Sequence, residues 1–476
     1  MEMGQEINQT KFNDEIFKEY QYRLKTETEL LGEQLAAGCF SCKGEVGGYE
    51  LESWLVDHNY FPSPINQRFL DCLNNPLVVH ELSRFNVELN GAPMPLKGDA
   101  LSAMSLELNH NWQACQEVAH GMDSVLMMIG ILPTVRQSDL CLANMSDLKR
   151  YRALNEQVLK RRCGRPLHIH IDGRELLDLD HPDVMLEAAT TSFQVHLQSA
   201  QGDAVRYFNA SIIAAGPLVA AAGNSPLLFG TDLWDETRIP LFEQSVEIDD
   251  QQQLAHHRVS FGCGYARESL FECFADNLAH HAVLLPILMD VAPQQFAHLR
   301  LHNGTIWRWI RPLVGFDSDG TPHLRIEQRV LPAGPTITDM IANAALFYGV
   351  ARYLSDLPEA PESVFSFDDA RDNFYRAARD GLQSQLVWLD GSTSEARTLL
   401  LETILPMARQ GLNTLGIDGD DSDLYLGILE SRIKCGQTGA SWQRAYREKY
   451  RCDGLHLVAA YLERQRSGAP VHEWEL

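Results

Sequence analysis

Alternate residues of a β-strand point the same way, about 6.5 to 7 Å apart along the backbone. Four segments of this sequence use that spacing to align groups that could do chemistry. In "GGYELESWLVD", Glu50, Glu52 and Trp54 share a face opposite Tyr49, Leu51 and Leu55. In "RFNVELN", Asn86, Glu88 and Asn90 oppose Phe85, Val87 and Leu89. In "TSFQVHLQ", Gln194, His196 and Gln198 oppose Phe193, Val195 and Leu197, and in "HLRIEQRVL", Arg325, Glu327 and Arg329 oppose Leu324 and Ile326. If these faces line one concave sheet, four glutamates and a histidine converge beside two arginines. Carboxylate oxygens with one nitrogen suit Mg²⁺ or Mn²⁺, hard ions that bridge protein carboxylates to substrate phosphates. Two guanidiniums complement a phosphoryl group and the charge it develops. The chemistry implied is metal-assisted phosphoryl transfer.

Each strand by itself is also what an antiparallel sheet with one wet face produces. Glu27/Glu29 and Glu473/Glu475 repeat the E-x-E spacing, and residues 107 to 109 repeat "ELN" within a predicted helix. What separates the two readings is the coincidence: these polar faces hold carboxylates, one imidazole and arginines rather than mixtures of Lys, Ser and Thr.

The elements that must position these groups follow from periodicity. Strands are predicted at 45–57, 84–90, 166–172, 191–198, 298–302 and 323–331. Helical spacing covers 12–36 and runs near 100–130, 147–160, 203–222 and 266–290. One-faced strands separated by long helical insertions predict an α+β fold with an antiparallel sheet rather than a buried parallel one. Composition shifts to Pro, Glu and Ser at "SDLPEAPES", and beyond it the pattern is almost entirely helical. The expected organisation is an N-terminal helix (1–40), a catalytic domain carrying the phosphoryl-transfer groups (41–355) and a C-terminal helical region (356–476).

The chain has 476 residues, 45% of them hydrophobic, which is ample for a large core. Its 64 acidic against 40 basic residues give a net charge of −24, so attraction to nucleic acid or anionic membrane is not expected. No apolar run reaches the roughly 18 to 20 residues of a membrane span, and the N-terminus lacks the marks of a secretion signal. A cytoplasmic location is expected. Cys39 and Cys42 have C-x-x-C spacing, but no second pair accompanies them and the strand follows rather than precedes them, so two reduced cysteines are expected. Neither a P-loop nor a dinucleotide-binding glycine motif is present.

With these residues in view, the sequence resembles the glutamate–cysteine ligase family, in its type 2 carboxylate–amine ligase branch. The resemblance runs in the family's order through "GGYELESWLVD", "VELNGAP", "TSFQVHLQ", "GNSPLLFG" and "LRIEQRVLPAGPTITD", across roughly residues 45 to 350. It implies a glutamine-synthetase-like fold, a curved antiparallel sheet with helices on one side, binding ATP and Mg²⁺ or Mn²⁺. Glu50, Glu52, Glu88, His196 and Glu327 carry over as metal ligands, and Arg329 and Arg325 as catalytic contacts to the transferred phosphate. The implied reaction activates a carboxylate, typically the γ-carboxylate of glutamate, as an acyl phosphate that an amine attacks. Gly91 stands where the family usually has Thr, and Tyr49 where a β-branched residue is common, which bears on substrate choice rather than on the metal ligands. A small-molecule kinase of the same fold superfamily and a non-catalytic binding protein derived from a ligase are the alternatives. The expected partners are amino-acid and amine substrates, with no nucleic acid or membrane; self-association is left open.

Other groups are read more plainly. Asn224 and Ser225, in a small-residue loop, either contact the nucleotide or belong to a helix cap at Gly223 followed by a turn. Arg311 and Gln194 are assigned to substrate. His168 and His170 share a strand face and are expected to be partly buried rather than ligands. His256/His257 and His280/His281 diverge as adjacent residues. Arg238, Arg258 and Arg267 divide evenly between substrate contacts and salt bridges, and Trp307 and Trp309 are expected in the core.

Overall fold

The computed structural model describes residues 11–248 and 256–476; the first ten residues of the 1–40 segment lie outside that range. An eight-stranded sheet forms the centre. Its order is Ile310–Phe316, Pro322–Gln328, Phe193–Ser199, Val46–Asp57, Asn86–Asn90, Val78–His80, and Met94–Pro95 and Ser124–Met127 also pair with the long Val46–Asp57 strand. Every pairing in it is antiparallel. The α+β architecture with a C-terminal helical region is therefore as the sequence predicts.

Alternation in sequence becomes alternation of chemistry between two faces, the apolar one fully in the core and the polar one itself largely buried. Tyr49, Leu51, Leu55, Val87, Leu89, Phe193, Val195, Leu197, Leu324 and Ile326 are all at most 3% exposed. Fully burying each large apolar side chain contributes about 1.5–3 kcal/mol, so a one-residue slip that turned these outward would be strongly disfavoured. Helices Ala100–His120, Ala204–Ala222 and Ile337–Ser355 pack on the sheet. Among the described residues, the stretch Gln201–Ala222 is the one helix long and apolar enough to cross a membrane, and 89% of its window is buried inside the protein.

The prediction fails at 298–302, where the chain is helical, Ala297–Asn303. "HLRLH" alternates, but His298 and His302 are buried together with Leu299 and Asn303, the i, i+4 pattern of a helix face. The strand Ile310–Phe316 was hidden by its aromatic lead-in and by burial on both faces. Ser124–Met127 lies inside the run expected to be helical near 100–130, and only Phe271–His280 of the expected 266–290 helix forms. Leu167–Asp172 pairs with Leu176–His181 in a separate two-stranded sheet.

The C-terminal helices are fitted closely onto the rest. Gly349 and Gly411 let helices Ile337–Ser355 and Leu405–Leu415 touch backbone to backbone: a Cβ on Gly411 would collide with Gly349 O, and one on Gly349 with Ala408 O. From helix Gly419–Cys435, Arg432 reaches Asp339 (2.7 Å), Asn343 (2.6 Å) and Ala221 O (3.2 Å) while only 2% exposed. The region also holds a short hairpin, Gln385–Val387 with Thr393–Glu395.

Candidate active site

Strand register brings the predicted groups together in two clusters. Glu327 is paired with His196, and His196 with Gly48, while Glu50 is paired with Gln194 one step along. His196 Nε2 lies 3.1 Å from Glu50 Oε1 and 3.9 Å from Glu327 Oε1, and all three residues are buried. Glu52 stands opposite Glu88, and these two with Glu81 place one carboxylate oxygen each within 4.8 Å of the others. The two glycines before Glu50 serve different faces. A Cβ on Gly47 would strike Leu96, Met104 and Tyr348 in the core, whereas one on Gly48 would meet only His196 Cβ at 3.9 Å, so Gly48 leaves space on the polar face.

The charges are opposed within a short distance. Burial pushes Glu52 up to about 7, helped by Glu81 and offset by Arg329 and Arg238. Burial, then Glu50 and Glu81, drives Glu88 well above the usual carboxylate range, and burial also raises Glu81 despite its hydrogen bond with Glu88 and the nearby Arg150. Glu50 is pulled up by burial but held below its ordinary value by His196 and Arg325. Burial is likewise outweighed at Glu327, which Arg311, Arg329 and His196 hold far below the ordinary range. Its carboxylate accepts two bonds from Arg311 (2.7 and 3.0 Å) and one from Arg329 (3.0 Å).

These residues fit divalent cations. His196 Nε2 is buried against Glu50 Oε1, and their 3.1 Å separation matches the roughly 3.0 Å between adjacent octahedral ligands held at about 2.1 Å. Three clustered carboxylates whose burial raises their proton affinity, with a repulsive contribution at Glu52 and Glu88, gain from a nearby positive charge. Guanidinium nitrogens nearby are also unspent: Arg311 Nη1, Arg325 Nε and Arg329 Nε are buried with no partner among the described residues. Donors of that kind suit phosphate oxygens.

Several assignments change. Gln194 is 2% exposed and links the clusters from within, donating to Glu52 Oε1 (2.8 Å) and accepting from Arg329. Arg311, assigned to substrate, spends two nitrogens on Glu327 and acts first as its counter-charge. Asn224 and Ser225 are fully buried, and the nucleotide contact expected of them is corrected to a structural tie. Asn224 Nδ2 donates to Ala333 O and Tyr461 Oη, its Oδ1 accepts from Gln443, and Ser225 Oγ accepts from Arg238 N. Arg238, buried beside Glu236, donates to the carbonyls of Arg329 and Val330 and so braces the strand end that carries Arg329. Trp309 lies in the core as expected.

Sequence reasoning missed Glu81 and Glu187. Glu81 follows the three-residue strand Val78–His80, too short to alternate, and only its pairing of Val79 with Glu88 brings it in. Glu187, in the turn Val184–Ala189, is pushed well up by burial and by Glu81 and Glu52. An acidic residue directly after the strand that pairs with Glu88 was the available signal. A separate surface cavity of about 480 Å³, lined by Phe61, Thr134, Arg136, Leu179, Phe229 and Leu455 among others, contains none of the clustered carboxylates.

A curled antiparallel sheet with carboxylates, imidazole and guanidiniums on its polar face defines the glutamine-synthetase-like superfamily of ligases. Within that class the chain belongs to glutamate–cysteine ligase family 2 (GCS2), whose model matches residues 46–460. Comparison with curated protein sequences finds no match. Among solved structures, glutamate–cysteine ligase from Francisella tularensis, in complex with AMP, is similar over 92% of this chain and 91% of its own, with TM-score 0.61 and 14% identity. A bifunctional glutathione synthetase from Pasteurella multocida is similar over 93% of this chain and 54% of its own, with TM-score 0.57 and 11% identity. At such identities the likeness is one of fold.

Proposed function

We propose that the protein is an ATP-dependent carboxylate–amine ligase of the glutamate–cysteine ligase type, acting on small amino-acid and amine substrates in the cytoplasm. The observation that carries this reading is the convergence of Glu50, Glu52, Glu88, His196 and Glu327 on one sheet face, ringed by buried guanidinium nitrogens without partners. Glu50, His196 and Glu327 would hold one Mg²⁺ or Mn²⁺, and Glu52, Glu88 and Glu81 another. Such ions neutralise polyphosphate charge when bound.

The chain's own groups do the rest. Arg329 and Arg325 offer Nε donors to the transferred phosphoryl group, stabilising its charge as the γ-carboxylate of glutamate becomes an acyl phosphate. Arg311 keeps Glu327 ionised, and Gln194 fixes Glu52 relative to Arg329. Water that would hydrolyse the acyl phosphate before the amine attacks must be kept from this face during turnover. No protein nucleophile is needed. The AMP held by the Francisella relative supports nucleotide use here.

The test is phosphate release from ATP with Mg²⁺ across a matrix of amino acids and amines, with products identified by mass. A ligase releases ADP and phosphate when carboxylate and amine are both present and yields an amide. Stable phosphorylation of a single acceptor without free phosphate would instead make the protein a kinase.

A further inference from the structure

The hairpin Leu167–Asp172/Leu176–His181 carries a second group of metal-ligating side chains outside the sheet site. His168 and His170 are not partly buried: their side chains are 58% and 54% exposed. Alternation anchors them from behind, because Leu167, Ile169 and Ile171 are at most 1% exposed. The strand is also pinned in place by His170 N, which donates to Gln244 Oε1 at 2.7 Å. The two imidazoles therefore stand on a fixed outward face.

We propose that His168, His170 and Asp178 form a binding site for a borderline divalent cation of the Zn²⁺ class, with Asp180 positioning His168. Register places His168 opposite Asp180 and His170 opposite Asp178. Simple cross-strand pairing would give each histidine its own carboxylate. Instead Asp178 reaches both rings: Oδ2 is 2.8 Å from His170 Nδ1, and Oδ1 is 3.9 Å from His168 Nε2. Tetrahedral ligands held at about 2.0–2.1 Å lie about 3.3 Å apart, between these two separations. A carboxylate only accepts, so His168 Nδ1 donates to Asp180 Oδ1 at 3.0 Å and Nε2 is left toward Asp178, while His170 Nδ1, which donates to Asp178 in the same way, would give up that proton to the cation. A carboxylate behind a ligating imidazole is the usual device for fixing tautomer and basicity.

Two nitrogens and one carboxylate select Zn²⁺, Ni²⁺ or Cu²⁺ over Mg²⁺, unlike the oxygen-rich sheet clusters. Exposure leaves the fourth position to water or to a ligand from another molecule.

The full-length protein, stripped of metal and then held in millimolar Mg²⁺, is titrated with Zn²⁺ by calorimetry and with Co²⁺ by visible absorption. Wild type is expected to bind one more equivalent than His168→Ala/His170→Ala, which should also lose the tetrahedral Co²⁺ bands. Asp180→Asn is expected to bind about 10- to 100-fold more weakly. His196→Ala should keep the hairpin equivalent, which separates this site from the sheet clusters. Thermal melts without metal should be alike in wild type and the hairpin variants, since those side chains are exposed. Equal Zn²⁺ stoichiometry and affinity in wild type and the double histidine variant would overturn the site, as would loss of every equivalent in His196→Ala.

Discussion

At the scale of residues, the ligand set divides by what each carboxylate does when no cation is near. Glu52 accepts from Ser192 N and Gln194 Nε2 (2.7 and 2.8 Å) and holds its proton up to about 7. Glu52→Gln is nearly its protonated shape. We expect Mg²⁺-dependent ATP turnover to fall at least about a hundredfold with an unchanged urea midpoint, measured by phosphate release and denaturation side by side. Glu327 differs because it is the buried counter-charge of both Arg311 and Arg329. Glu327→Gln should lose turnover and also about 3–5 kcal/mol of stability, since two guanidiniums are left under-compensated. An unchanged midpoint in that variant would show that the arginines find other partners. The pairing of Arg311 with Glu327 depends on register between strands and was not legible in the sequence, whereas the i, i+2 spacing of Glu50 with Glu52 and of Glu327 with Arg329 was.

At the scale of elements, alternation placed the four functional strands because each has one apolar face to bury. Where that condition fails, so does the reading: "HLRLH" became a helix, and the Ile310–Phe316 strand, with Leu313 and Gly315 beside Arg311 on its second face, showed no alternation. Helix Arg238–Ser245 yields a prediction about pH. Its Glu243 is partly buried, accepts from Trp309 Nε1 and Tyr375 Oη at 2.8 Å each, and is pushed up from 4.5 to about 7 by desolvation. The folded state therefore binds this proton more tightly than the unfolded chain. Stability is fully present below pH about 4.5 and is lost progressively as pH rises to about 7, by an amount on the order of 3 kcal/mol. Glu243→Gln keeps the acceptor and removes the titration. Its melting temperature should match wild type near pH 4 and exceed it at pH 8; a constant difference across that range would contradict the assignment.

At the scale of the whole molecule, the C-terminal region is held by backbone contact and buried charge rather than by a loose linker. Gly411→Leu should lower stability by about 1–3 kcal/mol or more, because a side chain there meets Gly349 O and Tyr353 N. Arg432→Ala leaves Asp339 buried without its partner and should cost about 3–5 kcal/mol, read from the denaturation midpoint. With the boundaries proposed at residues 40 and 355, a chain ending at 355 would expose the face of Ile337–Ser355 that these helices cover. It is expected to aggregate on expression, which a solubility assay of the truncated chain would show. By itself the sequence determined four of the strands, which of their polar residues share a face and the family to which the chain belongs, because period-2 spacing and residue chemistry are local properties. Only the tertiary structure decided which carboxylates meet: that Glu81 joins Glu52 and Glu88, that Arg311 neutralises Glu327, and that Asn224 is a buried tie. Those pairings depend on strand register and on contacts between separate elements, from 16 residues apart for Arg311 and Glu327 to 237 for Asn224 and Tyr461, where local pattern carries no information.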